Sequence, residues 1–171
     1  MLFRSGINDQ EIVDLAAHFR HSGHILRLIE FMDVGTTNGW RLDAVVSAAE
    51  ILETIGGRFP LEPLEPSYRG EVARRYRYVD GAGEIGLIAS VTQPFCGDCT
   101  RLRVSAEGAA YTCLFATEGT DLKSLIRSGA SDGEWLAAIA DLWGQRSDRY
   151  SEIRSQATES WERIEMSYIG G

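Results

Sequence analysis

Apolar positions recur at helical spacing over residues 8–20, where Ile12, Leu15, Ala16 and Phe19 fall on one face. Asn8 stands where an N-cap belongs, Glu11 sits at the third helical position, and Ile7 with Ile12 has the spacing of a hydrophobic staple. After His21-Ser-Gly-His24 the pattern becomes a continuous run, Ile25 to Met32, which predicts a buried strand. A second helix is predicted over Arg41 to Ile55, apolar at Leu42, Val45, Val46, Ala49 and Leu52. Residues 56–70 hold three of the four prolines and read as an extended connector. Beyond it the period drops to that of strands: 73–79 and 84–91 flank a Gly-Ala-Gly turn, and 101–104 and 109–114 form a hairpin around Glu107-Gly108. Two helices follow. Thr120 caps one that buries Leu122, Leu125 and Ile126 and stops at Gly129; Ser131 and Glu134 make a capping box for the other, which buries Trp135, Ile139, Leu142 and Trp143.

The order helix, strand, helix and then antiparallel strands predicts an α/β segment followed by an α+β segment. Only Met1 to Arg4 are available as the strand preceding the first helix. An α/β unit that begins partway through its first strand reads as part of something longer. On that reading the strand over Ile25 to Met32 lacks a strand neighbour and leaves an open edge suited to self-association.

Composition narrows the function classes. The 171 residues carry a net charge of −8, which argues against a broad electrostatic nucleic-acid binder. No apolar stretch reaches membrane-spanning length and the first residues have no signal-peptide core, so the expectation is a soluble cytoplasmic protein. Of the 17 basic residues only Lys123 is lysine, so an arginine beside a motif says less here about anion binding than it would in a balanced composition.

The three cysteines are concentrated in one stretch. Cys96 and Cys99 form a C-x-x-C pair entering the predicted hairpin, and Cys113 lies on its returning strand, so that three sulfurs can converge. In a reducing compartment converging thiolates favour a soft metal or a cluster over a disulfide. A closed zinc site wants a fourth ligand. His18, His21 and His24 are remote in sequence, and the Asp98 carboxylate is a poor partner for thiolates. Three cysteines fit a [4Fe–4S] cluster with one open iron; they also fit a three-ligand zinc site with a water, or a redox pair plus one core cysteine. Arg101 and Arg103, two apart on the predicted strand, would share a face and make a guanidinium fork for phosphate or carboxylate. A solvated strand face explains the same pair.

The run Phe95-Cys-Gly-Asp-Cys-Thr-Arg-Leu-Arg-Val104, then Cys113-Leu-Phe, Gly83 to Ile88 and the closing Ser167-Tyr-Ile-Gly-Gly171, resembles the GTP 3′,8-cyclases of molybdenum-cofactor biosynthesis, radical S-adenosylmethionine enzymes. Arg4 to Asp9 and Ile29 to Met32 resemble the same family. The resemblance implies the C-terminal remnant of an incomplete (βα) TIM-like barrel over residues 1–33. It further implies a [4Fe–4S] and GTP-binding domain over 34–146, with an antiparallel hairpin and C-terminal helices, and a tail over 147–171. It implies that Cys96, Cys99 and Cys113 hold a second [4Fe–4S] cluster whose open iron receives the guanine of GTP. Arg101, Leu102 and Arg103 would line the GTP site. Met32 would lie near S-adenosylmethionine, and Gly170-Gly171 would reach into the active site. A methionine ending a core strand accounts for Met32 equally well.

The family's radical-generating C-x-x-x-C-x-x-C is absent from these residues, whose first cysteine is Cys96. The chain is therefore expected to be catalytically inactive alone, and its expected partners are GTP, a separate N-terminal half or a second copy of itself, with no nucleic acid and no membrane. Two rival readings stay open: a zinc-binding or interaction module built on the cysteine triad, and a functionless relic prone to aggregation. Ubiquitin-like sulfur carriers also end in Gly-Gly, but they are much smaller and leave the cysteines unexplained.

Overall fold

The computed structural model describes residues 1–154 and 164–169. It divides into two compact units, Met1–Met32 with Trp40–Cys99, and Asp33–Gly39 with Thr100–Gly171. Each contains its own sheet.

In the first unit five strands form a mixed sheet in the order β1-β2-β5-β4-β3. These are β1 (Leu2–Phe3), β2 (Leu26–Glu30), β3 (Leu61–Pro63), β4 (Arg74–Tyr78) and β5 (Glu84–Ile88). β1, β2 and β5 run parallel, with Leu26 opposite Ile85 and Leu28 opposite Leu87; β4 and β3 add antiparallel. Two helices, α1 (Ile12–Phe19) and α2 (Ala48–Gly56), bury Ile12, Ala16, Ile51 and Ile55 in one core with Phe3, Leu26, Leu28, Ile85 and Leu87. Each of these isoleucine, leucine and phenylalanine side chains contributes about 1.5–3 kcal/mol by leaving water.

Several expectations are corrected here. The run over Ile25 to Met32 does not leave an open edge, because β2 is paired on both sides, by β1 and by β5. Ile7 is exposed, so the staple does not form. Asn8 does not cap a helix; its Oδ1 accepts the Arg4 N–H and its Nδ2 donates to the Leu2 carbonyl, folding the chain entry into a turn before α1. The single helix expected over Arg41 to Ile55 is a short 3-10 turn, Leu42–Ala44, followed by α2. Ser47 decides the break: its Oγ accepts the Glu50 N–H while the Glu50 carboxylate accepts the Ser47 N–H. The proline-rich connector contributes β3, an edge strand, where the missing proline N–H costs no ladder bond.

The second unit holds a three-stranded antiparallel sheet, β6 (Arg103–Val104), β7 (Ala109–Tyr111) and β8 (Thr120–Asp121), with the expected hairpin around Glu107-Gly108. Its helices are α3 (Lys123–Arg127), α4 (Asp132–Gly144) and α5 (Tyr150–Ile153). Thr120 is a strand residue and not a cap; the Asp121 carboxylate takes the Ser124 N–H and hydroxyl instead. Leu122 is buried as expected whereas Ile126 is exposed, and the chain leaves α3 through Gly129 at φ +79°. The Ser131–Glu134 capping box forms as the sequence predicts. Its apolar face does not reach full burial: Trp135, Ile139, Leu142 and Trp143 are half-buried and Leu136 is exposed. Among the described residues no helix is long and apolar enough to cross a membrane.

Candidate functional site

In the first unit the chain leaves the sheet through a 3-10 turn, Cys96–Asp98, in which the Cys99 N–H donates to the Cys96 carbonyl at 3.4 Å. One tight turn thus carries both sulfurs, Cys96 buried and Cys99 half-buried. Asp98 points outward, 3.9 Å from the Arg69 guanidinium, and both side chains are largely in water, so the pair contributes little to stability. Met32 lies two residues beyond β2, past the carboxyl end of a parallel strand, which is the end where α/β sheets bind ligands.

Sequence reasoning missed Glu30 at that same end. Its carboxylate is buried and accepts the backbone N–H groups of Ala48, Val91 and Thr92 at 2.8–2.9 Å, and the Thr92 hydroxyl. The available signal was a charged residue inside an apolar run, on the inward-facing beat of the strand. Glu30→Gln would turn an N–H₂ toward those donors. We expect a loss of about 2–4 kcal/mol in denaturant unfolding, because buried donors left without an acceptor cost about 1–3 kcal/mol each. A second missed feature is a hollow of about 270 Å³ on the face of the sheet opposite the core, lined by Arg27, Arg75 and Gly86 among others. These three stand in register on β2, β4 and β5, and Gly86 leaves the space between the two arginines. Arg75 is paired with Glu84 at 2.7 Å.

In the second unit Cys113 follows β7 and lines a cavity of about 360 Å³ together with Phe115, Glu118, Asp148, Arg149 and Tyr150. The Phe115 N–H points at the Cys113 sulfur at 3.4 Å. The residue before the cysteine is strapped from two sides: the Thr112 hydroxyl donates to Asp148, and Arg146 Nε donates to the Thr112 carbonyl at 3.2 Å. Phe115 stacks on Tyr150 with ring centroids 4.5 Å apart. Tyr150 donates to Asp33 at 2.6 Å, and Arg154 closes a buried ion pair on the other Asp33 oxygen at 2.8 Å. These long-range polar links had no sequence signal.

Arg101, Leu102 and Arg103 are half-buried in the same unit. Arg103 is in β6 opposite Tyr111, two residues from Cys113, so arginine and thiol share one hairpin. Arg101 precedes the strand, which corrects the expectation that both arginines lie on it and share one face. Gly170 and Gly171 lie outside the described residues. Among the described residues no three His, Cys, Asp or Glu side chains are gathered as a cation site.

Residues 24–152 match the family Molybdenum Cofactor Synthesis C. The chain belongs to that family. The matched segment contains Met32, the cysteine pair, Arg101 to Arg103 and Cys113. Relatives named GTP 3′,8-cyclase extend the match to nearly the whole chain. One from Acidothermus cellulolyticus is 50% identical over 195 residues, covering 99% of this chain and 54% of the relative. One from Synechococcus sp. is 53% identical over 170 residues, covering 99% and 48%. One from Xanthomonas axonopodis pv. citri is 49% identical over 166 residues, covering 97% and 49%. The chain thus spans about half the length of the curated relatives it matches. The two cysteines on one tight turn have the donor chemistry of a thiophilic group.

Proposed function

We propose that this Molybdenum Cofactor Synthesis C chain is the C-terminal part of a radical S-adenosylmethionine GTP 3′,8-cyclase, a cytoplasmic lyase that converts GTP to 3′,8-cyclo-7,8-dihydro-GTP. The observation that carries the reading is the match to GTP 3′,8-cyclases over nearly the whole chain, a span that includes this chain's C-x-x-C, R-x-R and later cysteine. In this reading Cys96, Cys99 and Cys113 hold a [4Fe–4S] cluster, which supplies an open iron for the purine when bound. Arg101 and Arg103 clamp the anionic part of GTP, and Leu102 lines the site. Charged guanidinium bonds to phosphate orient the nucleotide and cost little reorganisation when several are preset. Met32 belongs to the S-adenosylmethionine side, and Gly170-Gly171 reach the nucleotide as a narrow tail. The parallel strands β1, β2 and β5, with α1 and α2 packed in one core with them, support the remnant of a (βα) barrel. The radical step needs the C-x-x-x-C-x-x-C half, so this chain alone binds nucleotide without turning it over, and its partners are GTP and either that half or a second copy.

Anaerobic reconstitution with iron and sulfide tests the reading. About four irons and four labile sulfides per chain are expected. About one zinc with no sulfide would overturn it in favour of a metal-stapled interaction module. In the loaded chain, replacing Arg101 and Arg103 together by alanine is expected to weaken GTP binding by roughly a hundredfold or more while leaving the iron content unchanged, since each charged hydrogen bond contributes about 1.5–3 kcal/mol. Equal affinity in equilibrium dialysis would reduce the pair to a solvated face.

A further inference from the structure

Glu30, the last residue of β2, is 1% exposed and lies in the first unit together with the turn that carries Cys96 and Cys99. Its Oε2 accepts the N–H groups of Val91 and Thr92 at 2.8 and 2.9 Å. Its Oε1 accepts the Thr92 hydroxyl and, at 2.8 Å, the Ala48 N–H at the start of α2. A strand packed into an apolar core has no need of a carboxylate on its inward face; three N–H groups and a hydroxyl buried beside it do. Two of those N–H groups are consecutive along the backbone, so the carboxylate fixes the direction of the chain at 91–92 as well as its place. The hold extends to either side. Ala89 and Ser90 are buried, and the Gln93 N–H donates to the Ala89 carbonyl at 3.1 Å. Arg74 Nη1 donates to the Gln93 side-chain oxygen, an exposed contact for which water competes. Cys96 stands four residues beyond Thr92 and eight beyond Ile88, where β5 ends.

We propose that Glu30 is a positioning residue for the Cys96–Cys99 pair: its carboxylate clasps Val91 and Thr92 and so makes them the fixed stem from which the two sulfurs are presented. The role rests on the reading above, in which Cys96 and Cys99 help to hold an iron–sulfur cluster. Glu30 touches neither sulfur, and its effect is one of tether length. With the clasp closed, Cys96 hangs four residues from a fixed point; with it open, the nearest fixed point is the end of β5, eight residues away. The effective concentration of a tethered group falls as roughly the −3/2 power of tether length, so doubling the tether dilutes the pair about threefold at the place where the cluster needs it. The Thr92 hydroxyl belongs to the stem side of the clasp and the Ala48 N–H to the helix side. This division allows the stem to be loosened apart from α2.

The test uses the full chain and four variants. Glu30→Gln opens the clasp, Thr92→Val removes one stem donor, Thr92→Ser keeps that donor, and Ser47→Ala weakens the start of α2 without touching the stem. In the iron-free chain, hydrogen exchange read by mass spectrometry is expected to speed up in Glu30→Gln by roughly tenfold or more in peptides covering 89–99, beyond any change in α1, since one hydrogen bond to a charged group governs about a decade of local opening. In the reconstituted chain, release of iron to excess chelator is expected to be about threefold faster in Glu30→Gln. It should quicken by a smaller factor in Thr92→Val and stay at the wild-type rate in Thr92→Ser and Ser47→Ala. Should Glu30→Gln fail to fold, Thr92→Val against Thr92→Ser and Ser47→Ala decides alone. Exchange at 89–99 that rises no more than in α1 would overturn the clasp. Iron release in Ser47→Ala that matches Thr92→Val at an equal shift in urea midpoint would overturn the positioning role and leave Glu30 a purely structural residue, as would wild-type release rates in both Glu30→Gln and Thr92→Val. If the wild-type chain takes up no iron and sulfide while exchange still registers the clasp, the reading of the chain as a cyclase half fails, and the positioning role fails with it.

Discussion

Asp33→Leu is expected to destabilise the second unit by about 3–5 kcal/mol, because it strands the Arg154 guanidinium in the interior without its partner. Asp33 is fully buried and Arg154 nearly so, and Asp33 spends one carboxylate oxygen on Arg154 and the other on the Tyr150 hydroxyl. Arg154 also lies over the Phe115 and Tyr150 rings, at 5.1 and 5.5 Å from their centroids, so its charge is embedded among apolar groups. The converse variant, Arg154→Met, should cost a similar amount by leaving the buried carboxylate without its guanidinium. Combining Asp33→Leu with Arg154→Met should recover much of the loss, since an apolar pair of similar volume avoids burying any charge. Urea unfolding followed by hydrogen exchange in peptides from 100–154 reads this unit directly. A double variant as unstable as the sum of the singles would show that the pair is not coupled and that the cost lies in packing alone. The position matters for function: Asp33 follows Met32, and Tyr150 forms part of the cavity wall beside Cys113.

What could be read in the sequence was local. The Ser131–Glu134 capping box, the hairpin around Glu107-Gly108 and the apolar face of α1 each depend on residues a few positions apart, and each stands where the pattern places it. What could not be read depends on a partner far along the chain. Asn8 has cap chemistry, yet its side chain satisfies the backbone at Leu2 and Arg4, and the helix begins later. Three prolines argue against a strand at 61–63, but β3 lies at the sheet edge, where their cost vanishes. The break before α2 was legible in Ser47 and Glu50, but a uniform apolar period over 41–55 masks it. Glu30 reads as a blemish in an apolar run until α2 and the segment after β5 bring their N–H groups to it. The face of α4 has the composition of a buried stripe and is only half covered in this chain, because periodicity reports amphipathic character and carries no information on what lies opposite. The site followed the same rule. Cysteine spacing and the R-x-R run were visible, whereas the straps on Thr112 and the Asp33–Arg154 pair join residues 34 to 121 positions apart.

Removing any one cysteine is expected to abolish the iron–sulfur content of the reconstituted chain, with Cys113→Ala as damaging as Cys96→Ala. The two positions differ in every local respect. Cys96 is buried in a turn and shares that turn with Cys99, so a redox or zinc role for the C-x-x-C pair would be indifferent to position 113. Cys113 is half-buried on the wall of a cavity, where a thiol with only a packing role would tolerate serine or alanine at modest cost. Equal loss of iron and sulfide in all three variants therefore has one economical cause, a single group that needs all three thiolates. The strap beside Cys113 gives a graded control. Asp148→Asn weakens the hold on the Thr112 hydroxyl without touching a sulfur, and supporting residues of this kind typically change metal affinity by about 10–100-fold. Iron titration should therefore show weakened but saturable loading in Asp148→Asn and none in Cys113→Ala. Full loading of Cys113→Ala would confine the metal chemistry to the C-x-x-C turn, and GTP would then lose its reason to bind beside Arg103.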